Sequence, residues 1–180
     1  MTKGIRHLPN VLSALRIPLA ALFPFVATRP ALALAVLAAA AVSDILDGWL
    51  ARRLGHATPT GALVDGIADK VLGASVLLSL VAYGLMAAPL ALLLATREIG
   101  EFPLALHVLA RRSERLADVD RRANVLGKLA TALELATVVA VVVRAPHVTL
   151  LVAPTAAVGA VAAISYWRRE VRAHQTAYAP

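Results

Sequence analysis

Apolar runs of membrane-spanning length, broken by short polar stretches, constrain this chain more than any other feature. Six recur along its 180 residues, at about Asn10–Ala27, Ala31–Leu54, Gly61–Met86, Pro89–Ala110, Val125–Val143 and Val148–Trp167. A bilayer core takes about 20 mainly apolar residues per helix, and helices satisfy their own backbone there. With 59% hydrophobic and 16% charged residues and a mean hydropathy of +0.74, the chain is more apolar than an ordinary soluble domain. The expected fold is therefore all-α, an integral membrane bundle of six transmembrane helices with a short basic interfacial segment at residues 1–9. A basic start before an apolar run also describes a signal peptide. The further spans behind it favour a first membrane helix, in which Arg16 lies near enough to one end to snorkel.

The connections are short. Thr28-Arg29-Pro30, His56 to Thr60 with Pro59, and Arg144-Ala-Pro146-His147 read as turns, and Arg111 to Asn124 is a polar stretch. No internal repeat and no separate soluble domain is visible, so residues 1–180 read as a single membrane domain. Six spans put both termini on one side. That side carries Lys3, Arg6, Arg52, Arg53, the arginines of 111–122 and those of 168–172, while Arg29 and Arg144 face the other way. By the positive-inside rule it is cytoplasmic. The net charge of +7 sits at span ends with few aromatics, which fits lipid head groups and topology rather than nucleic acid. Without cysteine, disulfides and thiolate metal sites are excluded.

Four carboxylates interrupt the second and third spans, Asp44 and Asp47 near the end of one and Asp65 and Asp69 near the start of the next. Spacings of three and four put each pair on one helix face. An antiparallel hairpin through the 56–60 loop brings all of them to similar depth. Unpaired charges there cost at least a few kcal/mol each, so something compensates them. Pairing with Arg16, Lys70 or Arg97 is one answer, and an ion pathway in a transporter is another. Two pairs on facing helices also suit two divalent ions, which clamp an in-line displacement at phosphorus. Oxygen-only ligation favours Mg²⁺ or Mn²⁺.

The pattern Asp44-x-x-Asp47-Gly48-x-x-Ala51-Arg52, eight residues, then Gly61-x-x-x-Asp65-x-x-x-Asp69 resembles the signature of the CDP-alcohol phosphotransferases (CDP-alcohol phosphatidyltransferases), and the remaining spans fit their six-helix plan. The resemblance implies a lipid-linked CDP donor, usually CDP-diacylglycerol, an acceptor alcohol that attacks the β-phosphorus, and departure of CMP. It implies that Asp44, Asp47 and Asp65 hold two divalent ions, with Asp69 both a ligand and the base for the hydroxyl. Gly48, Ala51 and Gly61 would let the nucleotide approach the backbone, and the Arg52 fork would pair with pyrophosphate. It also implies a homodimer. The Ala- and Arg-rich, Lys-poor usage places the membrane in a bacterium, hence the cytoplasmic membrane, with the site facing the cytoplasm.

Asn10, Arg97-Glu98-Ile99 and Gly127-Lys128 resemble phosphatidylglycerophosphate synthases in particular, which implies that Arg97 and Lys128 bind the phosphate of glycerol 3-phosphate. The chain departs from that pattern at Gly66, Ala130 and Glu134, where Pro, a basic residue and Gln are usual. Inositol phosphate, serine and phosphatidylglycerol stay open as acceptors, the last as in a cardiolipin synthase. An ion-coupled transporter is the alternative from a different class.

Overall fold

A computed structural model describes residues 12–54, 59–110 and 125–177, and every regular element among them is a helix. The chain divides into two compact units, Met1–Met86 and Ala87–Pro180.

In the first unit a turn of helix over 12–14 leads into α1 (Arg16–Val26), followed by α2 (Pro30–Leu54) and α3 (Pro59–Ala82). Pro30 and Pro59 open their helices, where the missing N–H costs nothing and the fixed φ suits the first turn. α3 stops at Gly84, whose φ of 67° belongs to the left-handed region. There Leu85 N–H reaches back to the Leu80 carbonyl at 2.8 Å and Gly84 N–H to Val81 at 3.0 Å, so the last carbonyls are satisfied. α1 packs against both α2 and α3, burying Ala20, Phe23, Ala33, Val36, Val76 and Leu80.

Pro24 lies inside α1 and has no N–H for the carbonyl of Ala20 one turn earlier. The Ser75 hydroxyl of α3 donates to that carbonyl at 2.6 Å. In an apolar surrounding an orphaned carbonyl is expensive, so this bond both repairs α1 and fastens it to α3. Ser75→Ala is expected to destabilise the first unit by about 1–2 kcal/mol, measured as a lower midpoint of thermal unfolding in detergent.

The second unit holds α4 (Ala88–Leu94), α5 (Thr96–Ala110), α6 (Val125–Val142) and α7 (Thr149–Ala177). α7 packs against each of the other three. Gly100 of α5 permits one of these contacts, because a Cβ there would stand 2.8 Å from that of Ala163. The Trp167 indole N–H donates to the Gly100 carbonyl at 2.8 Å, and Thr137 and Thr155 join α6 to α7 through hydroxyls 3.0 Å apart.

One expectation changes, and one helix outruns the span expected for it. The fourth span is two helices, broken at Ala95, not one. The Thr96 hydroxyl bonds the Leu93 carbonyl at 2.5 Å, a local competitor of the helical backbone bond that bends helices. The sixth span ends near Trp167 as an apolar stretch, yet its helix runs on to Ala177 through Arg168, Arg169 and Arg172. The segment 1–9, Asn10 and the polar stretch 111–124 lie outside the described residues.

Among the described residues, two helices are long and apolar enough to cross a membrane, at Pro30–Leu50 and Thr149–Arg168. α3 is long enough, but Asp65, Asp69 and Lys70 load its first half with charge. Large apolar side chains face outward on both units, including Phe25, Leu78, Leu92 and Leu150, each more than 60% exposed. Such a surface associates with a membrane.

Candidate active site

Packing α1 against α2 and α3 places the start of α1 beside both pairs of aspartates. Asp44 and Asp47 stand one turn apart on α2, and Asp65 and Asp69 one turn apart on α3, as their spacing predicts. All four converge on one cation. Arg16 Nη2 donates to Asp44 Oδ1 at 2.9 Å and to Asp47 Oδ2 at 2.5 Å, both on α2. Its Nη1 donates to Asp65 Oδ1 at 2.7 Å and to Asp69 Oδ1 at 2.5 Å, both on α3. Each terminal nitrogen of the fork thus serves one helix.

Arg16 is 1% exposed, so the expectation that it snorkels is overturned. Snorkelling serves a lone cation near a helix end; here carboxylates stand within hydrogen-bond reach, and pairing removes the need for water. The reading in which Arg16 pairs with the aspartates therefore describes part of the site. Ser13, not foreseen from the sequence, donates its hydroxyl to Asp47 Oδ2 at 2.8 Å. Its signal was only its place one turn before Arg16. Asp47 is buried, whereas the side chains of Asp44, Asp65 and Asp69 are 56%, 40% and 53% exposed. The cluster therefore has a closed floor at Asp47 and Arg16 and an accessible side.

One guanidinium against four carboxylates leaves a formal excess of three negative charges. Carboxylate oxygens of Asp44, Asp47 and Asp65 lie within 4.8 Å of one another. That spacing and the all-oxygen donor set fit a hard divalent cation such as Mg²⁺ or Mn²⁺. Asp69 joins this group through the shared Arg16.

The remaining motif residues are less completely described. Gly48 follows Asp47 on α2 and is half-buried. Ala51 and Arg52 continue α2 and Gly61 lies in the first turn of α3, but their surroundings fall outside the described part. In the second unit Arg97 of α5 bonds Glu101 Oε1 through Nε at 2.8 Å and Thr131 of α6 through Nη1. The partner is Glu101, one turn along the same helix, and Glu98 carries a buried oxygen without a hydrogen bond. Lys128 stands exposed on α6.

An all-helical, membrane-associated protein with converged acidic ligands on two adjacent helices is a candidate for metal-assisted chemistry on phosphate groups. Residues 6–167 match the family model of CDP-alcohol phosphatidyltransferase, and the chain belongs to that family. A probable phosphatidylglycerophosphate synthase of Mycobacterium tuberculosis is 36% identical over 115 residues, 59% of this chain and 55% of the relative. The chain thus spans about half the length of the first curated relatives it matches. A CMP-forming cardiolipin synthase of Streptomyces coelicolor is 34% identical over 138 residues, 72% of this chain and 62% of the relative. A CDP-diacylglycerol–glycerol-3-phosphate 3-phosphatidyltransferase of Pectobacterium atrosepticum is 29% identical over 174 residues, 89% of this chain and 90% of the relative.

Proposed function

We propose that this chain is a phospholipid-synthesising transferase that moves the phosphatidyl group of CDP-diacylglycerol to glycerol 3-phosphate. One observation carries the reading: Asp44, Asp47, Asp65 and Asp69 of the family motif meet at a single point. The names of the Mycobacterium and Pectobacterium relatives support the acceptor.

Asp44, Asp47 and Asp65, with Asp69 assisting, would hold Mg²⁺ or Mn²⁺, two ions in all, and such ions would supply positive charge to the pyrophosphate. Gly48, Ala51 and Gly61 leave room along α2 and α3 for the nucleotide, and Arg52 pairs with its phosphates. Arg97 and Lys128 bind the acceptor's phosphate. Asp69 takes the proton of the acceptor hydroxyl, whose oxygen bonds to the β-phosphorus. The bond from that phosphorus to the bridging oxygen breaks, and CMP leaves with the bridging oxygen. The whole chain acts as one membrane domain of six spans in a homodimer. It lies in the cytoplasmic membrane, with both termini and the site facing the cytoplasm.

The test is CMP release by purified protein given CDP-diacylglycerol, Mg²⁺ or Mn²⁺ and one acceptor at a time. Release that depends on glycerol 3-phosphate and stops on chelation is the expected result. Release only with phosphatidylglycerol would move the protein to the second reading, a cardiolipin synthase, which the Streptomyces relative favours. A protein that neither binds the donor nor releases CMP with any acceptor would overturn the enzyme reading.

A further inference from the structure

We propose that the Arg16 guanidinium and divalent cations are alternative counter-charges for the same carboxylates, so that Arg16 holds the two acidic pairs together where no ion does. The inference rests on the metal-assisted reading above and adds to it a built-in cation that shares the ligands.

Arg16 uses one oxygen from each of the four aspartates, two on α2 through Nη2 and two on α3 through Nη1. A guanidinium is a rigid planar fork, so the distance between its terminal nitrogens fixes how far apart the two acidic pairs stand. A lysine ammonium, a single point charge, sets no such distance. Without a cation, four carboxylates converging on one point repel one another and turn apart. With Arg16 they stay convergent and partly compensated, and the accessible sides of Asp44, Asp65 and Asp69 remain open to an incoming ion. A divalent cation competes for carboxylate oxygens at close range and is repelled by the guanidinium. The two cations therefore oppose each other while doing the same structural task. Arg16 Nε is buried and has no hydrogen-bond partner, so the side chain is held through its terminal nitrogens alone and exchanges them without breaking another bond.

The experiment compares wild type with Arg16→Gln and Arg16→Lys, each purified in detergent with Mn²⁺ present throughout. Thermal unfolding is then followed in Mn²⁺ and after exchange into chelator, and Mn²⁺ uptake is measured by paramagnetic resonance. In Arg16→Gln the gain in melting temperature from Mn²⁺ is expected to exceed the wild-type gain by about twofold or more. Its apparent Mn²⁺ affinity is expected to be tighter by about tenfold or more, because the competing charge is gone. Arg16→Lys falls between the two. A residue that only packs helices would lower stability equally with and without Mn²⁺, and equal losses with unchanged affinity would overturn the proposal. So would an Arg16→Gln protein that fails to fold even in Mn²⁺, since the ion should then have replaced the guanidinium. A wild type that takes up no Mn²⁺ would overturn the metal reading itself, separately from any effect of Arg16.

Discussion

Asp69→Asn is expected to lower the turnover of CMP release by about 10²–10⁴-fold while the protein still folds and binds CDP-diacylglycerol. The asparagine carbonyl still accepts a hydrogen bond from Arg16 Nη1, so the link between α1 and α3 at this point survives the change. What disappears is a carboxylate able to take the acceptor's proton. Turnover and turnover over KM fall together, as for an interaction made only in the transition state. Steady-state CMP release, with donor binding measured on the same preparation, separates this from a binding defect. A variant that keeps more than about a tenth of the wild-type turnover would remove Asp69 from the role of base.

If Arg97 binds the acceptor as proposed, Arg97→Ala is expected to raise the KM for glycerol 3-phosphate by about 10–100-fold, the worth of a charge-assisted hydrogen bond to phosphate. The KM for CDP-diacylglycerol stays within about threefold. Arg97 is already bonded to Glu101 and Thr131, so it is held in place from α5 and α6. Lysine at this position keeps the charge but loses the second bond, and Arg97→Lys is expected to recover little. Equal rises in both KM values would show that Arg97 shapes the second unit without touching the acceptor.

The acidic centre was legible because its information is local. Residues three or four apart share a helix face whatever surrounds them, and a short loop between two apolar runs implies a hairpin. Arg16 was visible but not assignable: a cation near the end of an apolar run serves equally well at the lipid interface or inside. Only the packing of α1 against both acidic helices decides between these, and that is a tertiary fact. The break at Ala95 left no trace of Gly or Pro in the sequence; a Thr96 hydroxyl bonds the Leu93 carbonyl beside it. Hydropathy also marks where apolar character ends, not where a helix ends, which is why α7 outruns its span. The two positions that depart from the synthase pattern in α6 are Ala130, which is buried, and Glu134 one turn further on. Neither is read from spacing alone, and the acceptor assay is what gives them meaning.

The place of α7 also bears on how the protein is made. α4, α5 and α6 each pack mainly on α7 rather than on one another, yet α7 is the last of the described helices to leave the ribosome. Their shared partner is missing during most of synthesis. The first unit, by contrast, has α1, α2 and α3 in hand once residue 86 has emerged. Its half of the fold can assemble during translation. The second half must wait, with the faces around Gly100 and Thr137 uncovered until the final helix arrives.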